Sequence, residues 1–169
     1  MKLLSSFACA AVLPMVAFTL RAPPVGGDSS DPALGLWQLS EAKCRFSSSL
    51  SAVSILRSFQ ATNGGLTHIS ETRVVPDGRR LRIEYDVRYD SSEYPIFITN
   101  RETGVLEKSE DTVSLRRVDP HTVTGEFRRR GKKTSEFTRV VSQDGQSLSI
   151  TIIGSDFNTT LLIYERATT

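Results

Sequence analysis

The stretch LRIEYDVRY, residues 81–89, decides the fold class. Leu81, Ile83, Tyr85, Val87 and Tyr89 share one parity, and Arg82, Glu84, Asp86 and Arg88 share the other. Successive side chains of an extended chain point to opposite faces, so this segment sets an oily face against a charged one. A helix would mix the two sets, because its period is about 3.6 residues. The segment is a strand lying between an apolar enclosure and water.

Outward from it the chain repeats the same device. Pro76-Asp77-Gly78 is a turn leading into the strand and pairs it with the run at 66–74. Asn63-Gly64-Gly65 tolerates positive φ and joins that run to one at 53–61 as a hairpin. Further β-type runs stand at 35–39, 94–99, 112–118, 122–130, 134–142, 147–153 and 160–166, with Asp119-Pro120, Gly131-Lys132, Asp144-Gly145 and Asp156-Phe157-Asn158 at the later joints. NRETGVLEKSED at 100–111 reads as a loop, and residues 40–45 as one helical turn that Ser40 caps. No helical run is long enough to cover a sheet face, so the strands must bury their apolar sides against one another in a barrel or a sandwich. The expected fold is all-β, an antiparallel up-and-down barrel of 8 to 10 strands, which also hides both sheet edges.

The N-terminal MKLLSSFACAAVLPMVAFTL has one early lysine, then an apolar run too short to span a bilayer comfortably, and reads as an export signal. An uncleaved anchor is the alternative. Small residues at Val25-Gly26-Gly27 suit a signal peptidase, which gives residues 1–27 as leader, 28–33 as a flexible lead-in and 34–169 as the barrel domain of a secreted or periplasmic protein. Removing the leader takes away Lys2 and Arg21 and leaves 19 basic side chains against 19 acidic ones. A neutral chain has no field to draw it to nucleic acid or to an anionic membrane surface. Cys44 is then the one remaining cysteine, so no internal disulfide can form and the core must hold the domain together.

Gly35-Leu36-Trp37, YPIFITN at 94–100, DTVSLRRVDPHTVTGEFRRRGKK at 111–133, RVVSQDGQSLSITIIG at 139–154 and the closing IYERA at 163–167 carry a resemblance. The chain resembles the calycin superfamily of lipocalins and fatty-acid-binding proteins, and within it the small exported bacterial lipocalin-like proteins of unassigned function. The resemblance implies that Trp37, in the G-x-W of the first strand, packs at the closed end of the barrel under an arginine from a late strand. Gly35, Trp37, Arg139 and Arg166 are the closure residues on this basis. It also places Tyr164 where fatty-acid-binding proteins keep a carboxylate-clamping tyrosine, with Leu162 and Phe137 standing where the clamping arginines would be. Losing those two-pronged donors favours a mainly apolar ligand over a free fatty acid.

Tyr85, Tyr89, Phe127, Phe137, Leu162 and Tyr164 are the candidate ligand-binding residues on the inward register. They either line a pocket, with tyrosine hydroxyls orienting a guest, or fill a solid barrel. The expected function is non-enzymatic binding or transport of a small, mainly apolar ligand. The alternatives are a solid barrel acting as a protein-interaction or structural module of the cell envelope, and an enzyme with a polar group inside, for example His68 with Glu71 or Glu84. No HExxH, glycine-rich phosphate loop or G-x-S-x-G is present, so no catalytic residue, metal or cofactor is assigned. Arg128, Arg129, Arg130, Lys132 and Lys133 surround Gly131 as a solvated hairpin end. Asn158-Thr159-Thr160 fits a glycosylation acceptor on a surface loop.

Overall fold

Segregation with a period of two marks most of the strands among the described residues. The computed structural model describes residues 30–46 and 54–167, and the leader falls outside these. The strands are β1 (Gly35–Leu39), β2 (Ser54–Ala61), β3 (Thr67–Val74), β4 (Arg80–Val87), β5 (Asp90–Thr99), β6 (Leu106–Arg117), β7 (Thr122–Arg129), β8 (Lys132–Val141), β9 (Ser147–Gly154) and β10 (Thr159–Arg166). Each pairs antiparallel with its sequence neighbour, and β10 pairs with β1 to close a ten-stranded barrel. The closing register sets Trp37 beside Arg166 and Leu39 beside Tyr164. Inside, Tyr85, Val87, Val113, Leu115, Leu148, Ile150, Leu162 and Tyr164 are buried, while Arg82, Asp86 and Arg88 face solvent.

Three sequence expectations are corrected. The loop expected at 100–111 is shorter, because Leu106 opens β6 and its first residues pair with Phe97, Ile98 and Thr99. That part of the strand forms the barrel rim, where both faces are wet, so no apolar alternation announces it. The turn at 40–45 is a short 3₁₀ turn, Glu41–Lys43, and the Ser40 side chain makes no capping bond. Residues 31–33, expected in the flexible lead-in, belong to the fold: Asp31 and Ala33 are buried. Their partners, Arg117 and Trp37, hold them against the barrel end from distant and near sequence respectively.

Glycine at 125 shows how tightly the filled half is packed. A Cβ placed there would stand 2.5 Å from the Phe137 ring and 2.6 Å from the Ser114 carbonyl oxygen. The Phe137 ring also stacks on Phe127, with centroids 5.0 Å apart. A glycine inside a strand often marks such a close approach. Gly125→Ala is expected to destabilise the protein by about 1–3 kcal/mol, measured as a fall in the urea midpoint, because a backbone oxygen cannot move aside as a side chain can. An unchanged midpoint would mean that the sheet relaxes freely at this point.

Candidate functional site

The barrel has two different ends. At the closed end lie the turns at 62–66, 88–89, 118–121 and 142–146 together with residues 31–34. Trp37 is fully buried there, its Nε1–H donates to the Ala33 carbonyl at 2.7 Å, and the Arg166 guanidinium lies 4.2 Å from its ring centroid. Arg166 donates in turn to the carbonyls of Gly145, Leu34 and Pro32 at 2.7, 2.8 and 2.9 Å. Gly35 makes the approach feasible: its φ is +121°, and a Cβ would sit 2.7 Å from Arg166 Nη1.

Arg139, the other candidate cover, stacks instead on Phe59 at 4.9 Å and Tyr89 at 5.4 Å. Asp31 ties this layer together. It accepts from Arg117 and from the Tyr89 hydroxyl, both at 2.8 Å, and lies 3.6 Å from Arg139. Tyr89 is thus committed to closure, and burial pushes its phenol above the ordinary range.

The mouth half is hollow. A cavity of about 320 Å³ opens between β2 and β8, with Ile83, Tyr85, Ile96, Ile98 and Phe127 as its apolar wall. Its polar wall is formed by Arg57, Glu71 and Arg73, with Asp111 and Arg129 toward the rim. Two of the six candidate ligand residues, Tyr85 and Phe127, stand on this wall. Leu162 and Phe137 are buried in the packed core, and Tyr164 is fully buried with its hydroxyl lacking a partner. Burial pushes the Tyr164 phenol well above its usual value.

The charged group inside the barrel is Glu71 with Arg57 and Arg73, in place of a pairing with His68. Glu71, 1 % exposed, accepts from Arg57 through one carboxylate oxygen and from Arg73 Nε, at 2.5 Å, through the other. Burial pushes the Glu71 carboxyl up, but the Arg57 and Arg73 charges outweigh it and hold the group at about 2. Burial opposes the charge on Arg57, and Glu71 beside it raises its affinity for the proton instead. The sequence held a signal for this pair: Arg57 and Glu71 are equidistant from Gly64, so a hairpin centred there sets them opposite one another, as the β2–β3 register does.

The remaining candidates lie apart from this interior group, on the outer face, at the rim or beside the core. His68 Nδ1 is 2.9 Å from Asp86 on the outer face, away from Glu71, so the catalytic pairing within the barrel does not form. Around the hairpin at Gly131, Arg129 pairs with Asp111, Arg130 with Glu110, Arg128 with Glu126 and Lys133 with Glu136. Cys44 is half-buried, with Sγ donating to the Ser40 carbonyl and accepting from the Ile163 amide, both at 3.2 Å. Among the described residues no group of three or more His, Cys, Asp or Glu side chains could hold a metal ion.

No family model and no curated protein matches the chain. Solved structures do. An alanine variant of the fluorescent protein UnaG aligns with a TM-score of 0.56 at 14 % identity, over 82 % of this chain and 98 % of that one. A glutamine variant of the same protein gives 0.53 at 13 % identity, over 80 % and 96 %. Wild-type UnaG gives 0.51 at 13 % identity, over 79 % and 96 %. The similarity is one of fold: a closed, antiparallel, lipocalin-like β-barrel.

Proposed function

We propose that this protein binds a small amphipathic molecule in the mouth half of its barrel, without chemical conversion of that molecule. One observation carries this: the barrel is filled at its closed end, yet a cavity of about 320 Å³ with an apolar wall and a charged patch stays open at the other. A cavity of this size and lining suits a ligand of modest mass. The polar patch refines the mainly apolar ligand expected from the sequence, since arginines from β2 and β3 stand inside where those of later strands are missing. The leader signal and the resemblance to exported lipocalin-like proteins support a role as a carrier or sequestering protein outside the cytoplasm. In that setting the ligand would be captured at the mouth, near the turns at 75–79, 100–105 and 155–158.

Mass spectrometry of small molecules extracted with the protein from its native host is the direct test. The expected result is one compound class in stoichiometric amount. In parallel, Nile red should bind the ligand-stripped protein, and Ile83→Trp, which pushes an indole into the cavity, should weaken that binding at least about tenfold. Val118→Ser, on an exposed turn at the closed end, should leave it unchanged. A chain that carries no compound and binds no dye would overturn the proposal.

A further inference from the structure

We propose that Glu71 sets the charge of the molecule that the cavity accepts, admitting an amphipathic ligand with one negative charge at its polar end and rejecting its doubly charged counterpart. Resting on the ligand-binding function above, this adds a rule of charge to it. The wall carries three cations, Arg57, Arg73 and Arg129, against two anions, Glu71 and Asp111. Arg129 donates to both Asp111 carboxylate oxygens, from Nε at 2.7 Å and from Nη2 at 3.1 Å, and that pair is neutral. Glu71 gives one oxygen to Arg57 and the other to Arg73, so the group of three keeps one surplus positive charge.

Charge in a partly desolvated wall is felt more strongly than in water. A ligand bringing one negative charge cancels the surplus. One bringing two creates a new surplus of the opposite sign next to a carboxylate that cannot withdraw, because both its oxygens are held. A neutral ligand leaves the cation uncompensated. Arg57 also retains an Nε–H that has no partner. Tyr85 and Tyr164, the other titratable groups felt by Arg57 and Glu71, remain uncharged because burial pushes both phenols up, so they do not alter the count.

Decyl sulfate and decyl phosphate test this, since they share chain length and tetrahedral head and differ in charge. The second phosphate ionisation lies near about pH 6, so the phosphate is a dianion at about pH 8 and a monoanion at about pH 5. The ligand-stripped wild-type protein is expected to bind the sulfate at least about tenfold more tightly than the phosphate at about pH 8, and nearly equally at about pH 5. Decanol should bind more weakly than the sulfate at both. Glu71→Gln raises the wall charge by one and should reverse the order of sulfate and phosphate at about pH 8. Equal wild-type affinities at about pH 8, a sulfate preference that persists at about pH 5, or an unreversed order in Glu71→Gln would each overturn the charge rule. Should the variant not fold, the wild-type comparison across pH decides alone. If decyl compounds and Nile red all fail to bind, the ligand-binding function falls too; if all three decyl compounds bind alike, the cavity stands and only the charge rule is lost.

Discussion

Replacing Trp37 by alanine is expected to cost about 3–5 kcal/mol of folding stability, among the largest effects of any single substitution in this chain. The indole is fully buried, and its loss opens a void at the point where β1 and β10 close the barrel. Its Nε1–H bond to Ala33 and the Arg166 stack disappear with it. A cation–π contact of this kind contributes about 0.5–2 kcal/mol, so packing outweighs it. Far-UV circular dichroism is the suitable probe in urea, because Trp37 is the sole tryptophan and fluorescence vanishes with it. Trp37→Phe keeps an aromatic ring under Arg166 and should recover more than half the loss. Nile red binding per folded molecule should be unaffected in both variants, since the cavity lies at the opposite end. A loss below about 1 kcal/mol for Trp37→Ala would show that the closed end does not depend on this plug.

Trp37 under Arg139 or Arg166 at the closed end was expected only from the resemblance to lipocalins, whereas the strand alternation was legible because its logic is local. Gly35 and Trp37 lie two residues apart, and Arg166 ends a strand whose apolar alternation is clean. LRIEYDVRY declared its two faces for the same reason: one side is dry, the other wet, and the contrast is written in parity. The rim half of β6 was not legible, because Glu107, Lys108, Glu110 and Asp111 stand in a strand with solvent on both sides. Asp31 was hidden by its setting among proline, serine and glycine, and its partners Arg117 and Arg139 are remote in sequence. The interior charges were a different failure. Ile55, Arg57 and Phe59 share a parity, as do Ile69, Glu71 and Arg73, so the arginine and the glutamate were visibly on the oily side. Phe137 on β8 and Leu162 on β10 bring no charge inside, whereas Arg57 on β2 and Glu71 with Arg73 on β3 supply it.

Those charges yield the second large effect. Arg57→Met is expected to destabilise the protein by about 3–5 kcal/mol, since it leaves the Glu71 carboxylate buried with only the partly exposed Arg73 beside it. Glu71→Met should cost a similar amount by stranding Arg57. Making both changes together removes the desolvation of two ions as well as their attraction, and methionine fills the space flexibly, so the double variant should lie within about 1–2 kcal/mol of wild type. The two single losses would then be far from additive, with an interaction energy of several kcal/mol. The pH dependence has a definite sign. Arg57 and Arg73 hold the folded Glu71 carboxyl at about 2, well below its value in the unfolded chain, so its stabilisation is fully present above about pH 5 and disappears as pH falls through the folded value. Urea midpoints at about pH 7 and about pH 3 should therefore fall less in the double variant than in wild type, by the share that Glu71 contributed. Equal acid sensitivity in the two proteins would place the titrating carboxylates elsewhere, and additive single losses would show that Arg57 and Glu71 do not depend on each other.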